Sequence, residues 1–183
     1  GSPDTSFDID GIAEIDLSSG GNDYAYSLAI QPDGKIVAAG SSVNASGATV
    51  FAVVRYNSDG TLDTSFGAGG IAGVVKTSFG GVYSEARGMA IQADGKIVAA
   101  GTADGSSGTQ EFALARYNAD GSLDTNFDGD GKVTTNFIGD GEGANAIAIQ
   151  SDGKIIVVGS TLDGGGSADF AIARYNVNGS LDT

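Results

Sequence analysis

The stretch Gln31-Pro32-Asp33-Gly34-Lys35-Ile36-Val37 returns as Gln92-Ala93-Asp94-Gly95-Lys96-Ile97-Val98, and again as Gln150-Ser151-Asp152-Gly153-Lys154-Ile155-Ile156. From Gly34 to Gly95 is 61 positions, and from Gly95 to Gly153 is 58. A second anchor keeps that step: Arg55-Tyr56-Asn57, Arg116-Tyr117-Asn118 and Arg174-Tyr175-Asn176. A third runs Leu62-Asp63-Thr64-Ser65-Phe66, Leu123-Asp124-Thr125-Asn126-Phe127 and Leu181-Asp182-Thr183, and Pro3-Asp4-Thr5-Ser6-Phe7 opens the chain on a further copy of it. Self-similarity at a fixed period marks a repeat architecture, in which each unit buries its apolar surface against its neighbours.

Each unit reads as four short strands. The first is 24–31, matched by 85–92 and 143–150, and an Asp-Gly turn follows. That dipeptide is the strongest short-range hairpin signal, since both central residues tolerate positive φ. The second strand runs from Lys35 to Ser41, with equivalents from Lys96 and Lys154. A Gly/Ser-rich loop leads to the third, at 51–56, 112–117 and 170–175. A second turn (Asp59-Gly60, Asp120-Gly121, Asn178-Gly179) precedes a looser fourth strand at 71–75 or 132–137. No stretch keeps a 3.6-residue period over three turns, so the chain reads as all-β.

Side-chain size carries the argument to architecture. In Phe112-Ala113-Leu114-Ala115 and Phe170-Ala171-Ile172-Ala173 one face is bulky and the other bears Ala. Leu28-Ala29-Ile30, Met89-Ala90-Ile91 and Ile147-Ala148-Ile149 follow the same rule. A sheet with one wet face alternates apolar with polar. Two apolar faces imply a sheet packed between two others, the environment of a β-propeller blade. A β-prism is the other packing this pattern admits. The expected layout is an outer strand at 3–17 that completes a blade across a seam, repeat 1 at 18–77, repeat 2 at 78–137, and repeat 3 at 138–183 without its own last strand. Residues 1–2, Gly-Ser, read as a cloning remnant. Propellers close with roughly four to eight blades, so three four-stranded blades form an open arc. The expectation is a homodimer forming a six-bladed ring, or further repeats of a longer parent chain.

Composition narrows the chemistry. Of 183 residues, 31 are Gly; there is no Cys, His or Trp, and the net charge is −14. The acidic balance argues against nucleic acid, whose phosphates demand cations, and against an anionic membrane surface. The apolar runs are far shorter than the roughly 20 residues of a membrane span, so no membrane insertion is expected. Missing His and Cys remove the usual zinc ligands, His-based triads and thiol nucleophiles.

Candidate site residues fall into four groups. Arg55, Arg116 and Arg174 each precede an anchor Asp (Asp63, Asp124, Asp182) by eight positions. They read either as an anion-binding ring or as Arg–Asp staples, and identical placement in every unit favours staples. Of the 19 Asp, 11 precede Gly, among them Asp140, so much of the charge is turn chemistry in which Asp bonds nearby backbone. Asp124, Asn126, Asp128 and Asp130 match the opening of a calcium loop, D-x-N-x-D-G. The middle copy, Asp63 to Gly69, lacks the later carboxylates, and the twelfth position is Thr135 rather than Glu. Phe127 also recurs as Phe7 and Phe66, the mark of a packing anchor, so the segment reads either as a structural turn or as a calcium loop, and calcium is the one cofactor candidate. For catalysis the inventory permits only a paired-carboxylate glycosidase. Glu14, Glu85, Glu111 and Glu142 occupy different places in the repeat, with none in an obviously apolar setting, so no catalytic residue is assigned.

QxDGKIV, FALARYN and DGSLDTxF at this spacing resemble the delta-60 repeat, a bacterial domain of unknown function assigned to the β-propellers. The resemblance covers essentially the whole chain. It implies tandem arrays in secreted or cell-surface bacterial proteins and brings no catalytic residues with it. The expected function is thus a non-catalytic structural or interaction module that meets a protein or glycan through variable loops such as 78–83 and 161–167. The alternative is a carbohydrate-binding, lectin-like module, possible with calcium, stacking sugars on Tyr24, Tyr26 and Tyr83. Those tyrosines do not recur: Glu85 and Arg87, then Gly143 and Asn145, match Tyr24 and Tyr26.

Overall fold

The computed structural model describes residues 2–67, 71–105, 108–137, 141–163 and 165–183; Gly1, Ala68, Gly69 and Asp140, named above, lie outside them. β1 (Tyr24–Ile30), β2 (Ile36–Val43), β3 (Thr49–Tyr56) and β4 (Val74–Thr77) form one antiparallel sheet in that order. β5 (Ser84–Ile91), β6 (Ile97–Asp104), β7 (Gln110–Tyr117) and β8 (Lys132–Thr135) form the second. β9 (Glu142–Ile149), β10 (Ile155–Leu162) and β11 (Ala168–Tyr175) form a third, three-stranded sheet. The chain is all-β, with no helix among the described residues.

The hairpins depart from the expected turn in one respect. At Gln31-Pro32-Asp33-Gly34-Lys35 the Gly34 N–H donates to the Gln31 carbonyl, and the Gln31 N–H to Lys35. Gly34 has φ 85°, whereas Asp33 is not left-handed. This is a type I turn closed by a left-handed Gly, a three-residue loop. Asp33 contributes differently: its Oδ1 accepts the Lys35 N–H at 3.1 Å, a bond repeated by Asp59, Asp94, Asp120 and Asp152. The fourth strand of the first sheet also begins at Val74 rather than Ile71. Gly73, at φ 86°, donates to the Phe66 carbonyl, and residues 71–73 turn ahead of the strand.

The sheets stack bulky face on small face. Phe51 and Val53 of the first pack on Ala86, Met89, Ala99 and Ala113 of the second. Phe112 and Leu114 of the second pack on Ala144, Val157, Ala171 and Ala173 of the third. Full burial of such a side chain is worth about 1.5–3 kcal/mol, so these two seams are the core. Each seam is bolted at its outer edge: Tyr117 donates to Thr77 Oγ1 and Tyr175 to Thr135 Oγ1, both at 2.8 Å. Residues ahead of β1 extend the series. Ile15 and Leu17 lie on Ala52, Val54 and Val74, and the Asp8 N–H donates to the Asp59 carbonyl at 2.8 Å. Gly67 to Asp120 and Asp128 to Asn178 are the same bond between successive sheets.

Candidate functional site

The repeated arginines are staples. Arg55 Nε meets Asp63 Oδ2 at 2.7 Å and Arg116 Nε meets Asp124 Oδ2 at 2.8 Å, all four side chains being nearly sealed from solvent. The rest of each guanidinium crosses to the next sheet: Arg55 Nη1 donates to the Ala119 carbonyl at 2.6 Å, and Arg116 Nη1 to Val177. Each also lies 4.5 Å from a ring centroid, Phe66 or Phe127, where a cation is favoured. Burial works against the Asp63 carboxylate, but hydrogen bonds from Lys35 and Ser65 and the Arg55 charge outweigh it and hold its pKa well below the usual range.

The calcium-loop residues are spread over separate partners. Asp124 is committed to Arg116 and also accepts from Asn126. Asp130 accepts the Lys132 N–H at 2.9 Å and pairs with its ammonium. Asp128 sits at φ 50° as the bend of the corner. Thr135 is in β8, bonded to Tyr175. Among the described residues no group of three acidic side chains gathers around a common point.

A different constellation forms where the first strands β1, β5 and β9 lie beside one another. Each carries a bulge, so that Tyr26, Arg87 and Asn145 have no partner in the register. The cause is a glycine on the neighbouring strand. A Cβ on Gly40, Gly101 or Gly159 would lie 1.7–1.9 Å from the carbonyl oxygen of Tyr24, Glu85 or Gly143, so only Gly admits that close approach. Bulges re-aim side chains, and these three aim unlike groups at one place. Arg87 pairs with the buried Glu85 and reaches Asn145 Oδ1 at 3.5 Å. Tyr24 and Tyr26 stack with centroids 6.0 Å apart and both stay about half exposed. Burial and a hydrogen bond to Glu85 push the Tyr83 phenol up to about 12. The sequence signal for these bulges is the Gly that closes each of the apolar runs 36–40, 97–101 and 155–159.

The glutamates correct the sequence reading. Glu85, Glu111 and Glu142 are all buried. Burial raises the pKa of Glu142, the hydrogen bond from the Phe137 N–H at 2.7 Å opposes this, and the nearby Glu111 charge adds to it. Its Oε2 has no hydrogen-bond partner among the described residues. Asp23 holds the matching place ahead of β1 and accepts the Leu17 N–H at 2.8 Å. Both carboxylates thus tie an outer segment back to an inner strand, a structural duty.

Two sheets of four strands and one of three, stacked face to face around their first strands, define a β-propeller. The chain belongs to the family described as a domain of unknown function (DUF5122) beta-propeller, which matches residues 31–66, 92–127 and 150–183. No curated protein matches it. Among solved structures it is similar to an exo-1,5-alpha-L-arabinanase from a bovine ruminal metagenomic library, with a TM-score of 0.57 and 12% identity. The match covers 94% of this chain and 60% of the arabinanase, and at that identity it speaks for the fold alone.

Proposed function

We propose that the chain is a non-catalytic propeller module of a bacterial secreted or surface protein, acting as a scaffold and interaction platform. The observation that carries this is how its recurring charges are used. Arg55, Arg116 and Arg174, with Lys35, Lys96 and Lys154, are all paired with Asp. What repeats serves the fold, whereas the groups at the bulges, Tyr26, Arg87 and Asn145, differ between copies. The repeat resemblance supports the bacterial, extracellular setting. Of the buried glutamates, Glu111 accepts from the Asn136 amide, Glu142 from the Phe137 N–H and Glu85 from Arg87, which suits them to holding structure. The test is an assay on arabinan and aryl-glycosides, with no turnover expected. Turnover abolished by Glu142→Gln overturns the non-catalytic reading.

A second reading, carbohydrate binding, is favoured by one arrangement: the exposed Tyr24–Tyr26 stack beside Glu85, Arg87 and Asn145. A competable glycan-array signal that disappears in Tyr26→Ala would put this reading first. Calcium assistance requires Asp124 to leave Arg116, so a calorimetric titration with millimolar calcium is its test.

A further inference from the structure

The two ends of the arc leave open the surfaces that the inner seams bury. Phe51 and Phe112 are fully buried on the next sheet, whereas their counterpart Phe170 is 91% exposed, with Ile172 at 63%. Arg55 and Arg116 each reach a carbonyl in the following sheet, while Arg174 pairs with Asp182 and remains half exposed. At the other end the first sheet presents Ala25, Ala38, Gly40, Ala52 and Val54 along a groove already edged by Ala13, Ile15 and Leu17. Leu28 and Ile30 stand open beside it, although their counterparts Met89 and Ile91 pack in a seam.

We propose that these ends bind each other between two copies of this chain, head to tail, closing a ring of six blades. The inference rests on the scaffold reading and names the partner. Its specificity comes from the segment ahead of β1. Gly11 donates to the Phe7 carbonyl as Gly73 does to Phe66 and Gly131 to Phe127. Residues Ile12, Ala13, Glu14 and Ile15 therefore correspond to β4 and β8. In those strands Thr77, Val75 and Val74 face Phe51, Val53 and Val54, and Thr135, Val133 and Lys132 face Phe112, Leu114 and Ala115. The same register sets Ile15 of one copy opposite Phe170 of the other, and Ala13 opposite Ile172. This supplies the fourth strand that the third sheet lacks. The segment is already seated on its own first sheet through Asp8 and Asp59, so it offers its free edge preformed, as an unpaired strand edge invites addition. Arg174 then falls over Phe7 and toward the Ser58 carbonyl, the counterparts of Phe66 and Ala119. Asp4 of the other copy takes the place that Asp182 holds before pairing, so the last residues of the chain give way to it. Three blades per copy make six, within the roughly four to eight over which propellers close.

Light scattering of the full chain at micromolar concentration should give twice the mass of one chain. Phe170→Asp, at a site open to solvent, should give one chain mass with unchanged circular dichroism. The register has its own test, since the protein has no cysteine. Oxidised Ala13→Cys/Ile172→Cys should run as a covalent pair, because directly opposed strand residues lie within disulfide reach. Ala13→Cys/Ala171→Cys, with its thiols on opposite faces, should not. A monomer at micromolar concentration, a Phe170→Asp variant that still pairs, or a mass growing past two copies as an open chain would overturns the proposal. So does equal crosslinking of both cysteine variants. None of these outcomes touches the scaffold reading, which falls on turnover or glycan binding.

Discussion

At the scale of single residues, the buried Arg–Asp pairs decide more than their number suggests. Arg116 holds Asp124, spans to Val177 and covers Phe127. Arg116→Ala should leave Asp124 charged and buried, at a cost of about 3–5 kcal/mol by urea unfolding. Lys132→Ala, removing the partner of the exposed Asp130, should cost about 1 kcal/mol or less. Acidity separates two further groups. Asp63 has a lowered pKa in the fold, so its contribution is present above the ordinary value of 3.8 and is lost as pH falls below it. Glu142 is raised, so its contribution is present below 4.5 and is lost as pH rises through its folded value. Glu142→Gln, whose carbonyl can still accept the Phe137 N–H, should therefore gain on the wild type between pH 4 and 7. Denaturant midpoints across that range check the sign, and a difference that shrinks toward neutrality refutes it.

Among strands and turns, glycine separates two physical roles that the sequence writes alike. Gly95 is left-handed at φ 84° with open space around its Cα, while Gly101 is pressed against the Glu85 carbonyl. Gly95→Ala should cost about 1–2 kcal/mol for the left-handed backbone. Gly101→Ala must push β5 and β6 apart, so it should cost more, about 3 kcal/mol or above, and should also disturb Arg87. The two unfolding free energies, read with a structure-sensitive signal from Tyr83, test this ordering. The contrast explains what the sequence could reveal. The hairpins at Gly34 and Gly95 and the two apolar faces recur in every copy, so period and side-chain size alone specify blades. The bulges are signalled only by Gly40, Gly101 and Gly159, each closing an apolar run that otherwise reads as plain strand. The groups they aim, Tyr26, Arg87 and Asn145, share no chemistry, so no repeated motif marks the place. Likewise Glu142 gives no local sign of burial, because the charge that faces it, Glu111, lies in another strand.

For the molecule as a whole, the net charge of −14 sets how stability responds to salt. The strongest attractions, Arg55–Asp63 and Arg116–Asp124, are shielded from solvent, and salt screens buried pairs little. The surplus is carried largely by exposed turn aspartates, such as Asp33, Asp59 and Asp152, whose mutual repulsion opposes a compact state. At 0.1 M salt the screening length is about 10 Å, short enough to quiet repulsion between neighbouring turns. Raising sodium chloride from about 0.02 to 0.3 M should therefore raise the thermal midpoint. In a domain of this size a gain of 1 kcal/mol corresponds to about 2–4 °C. Protein concentration must be fixed throughout, because association would add its own mass-action stabilisation. A midpoint that falls with salt would mean that exposed pairs such as Lys96–Asp94 and Lys132–Asp130 outweigh the repulsion, and that the acidic surplus is not the main electrostatic load on this fold.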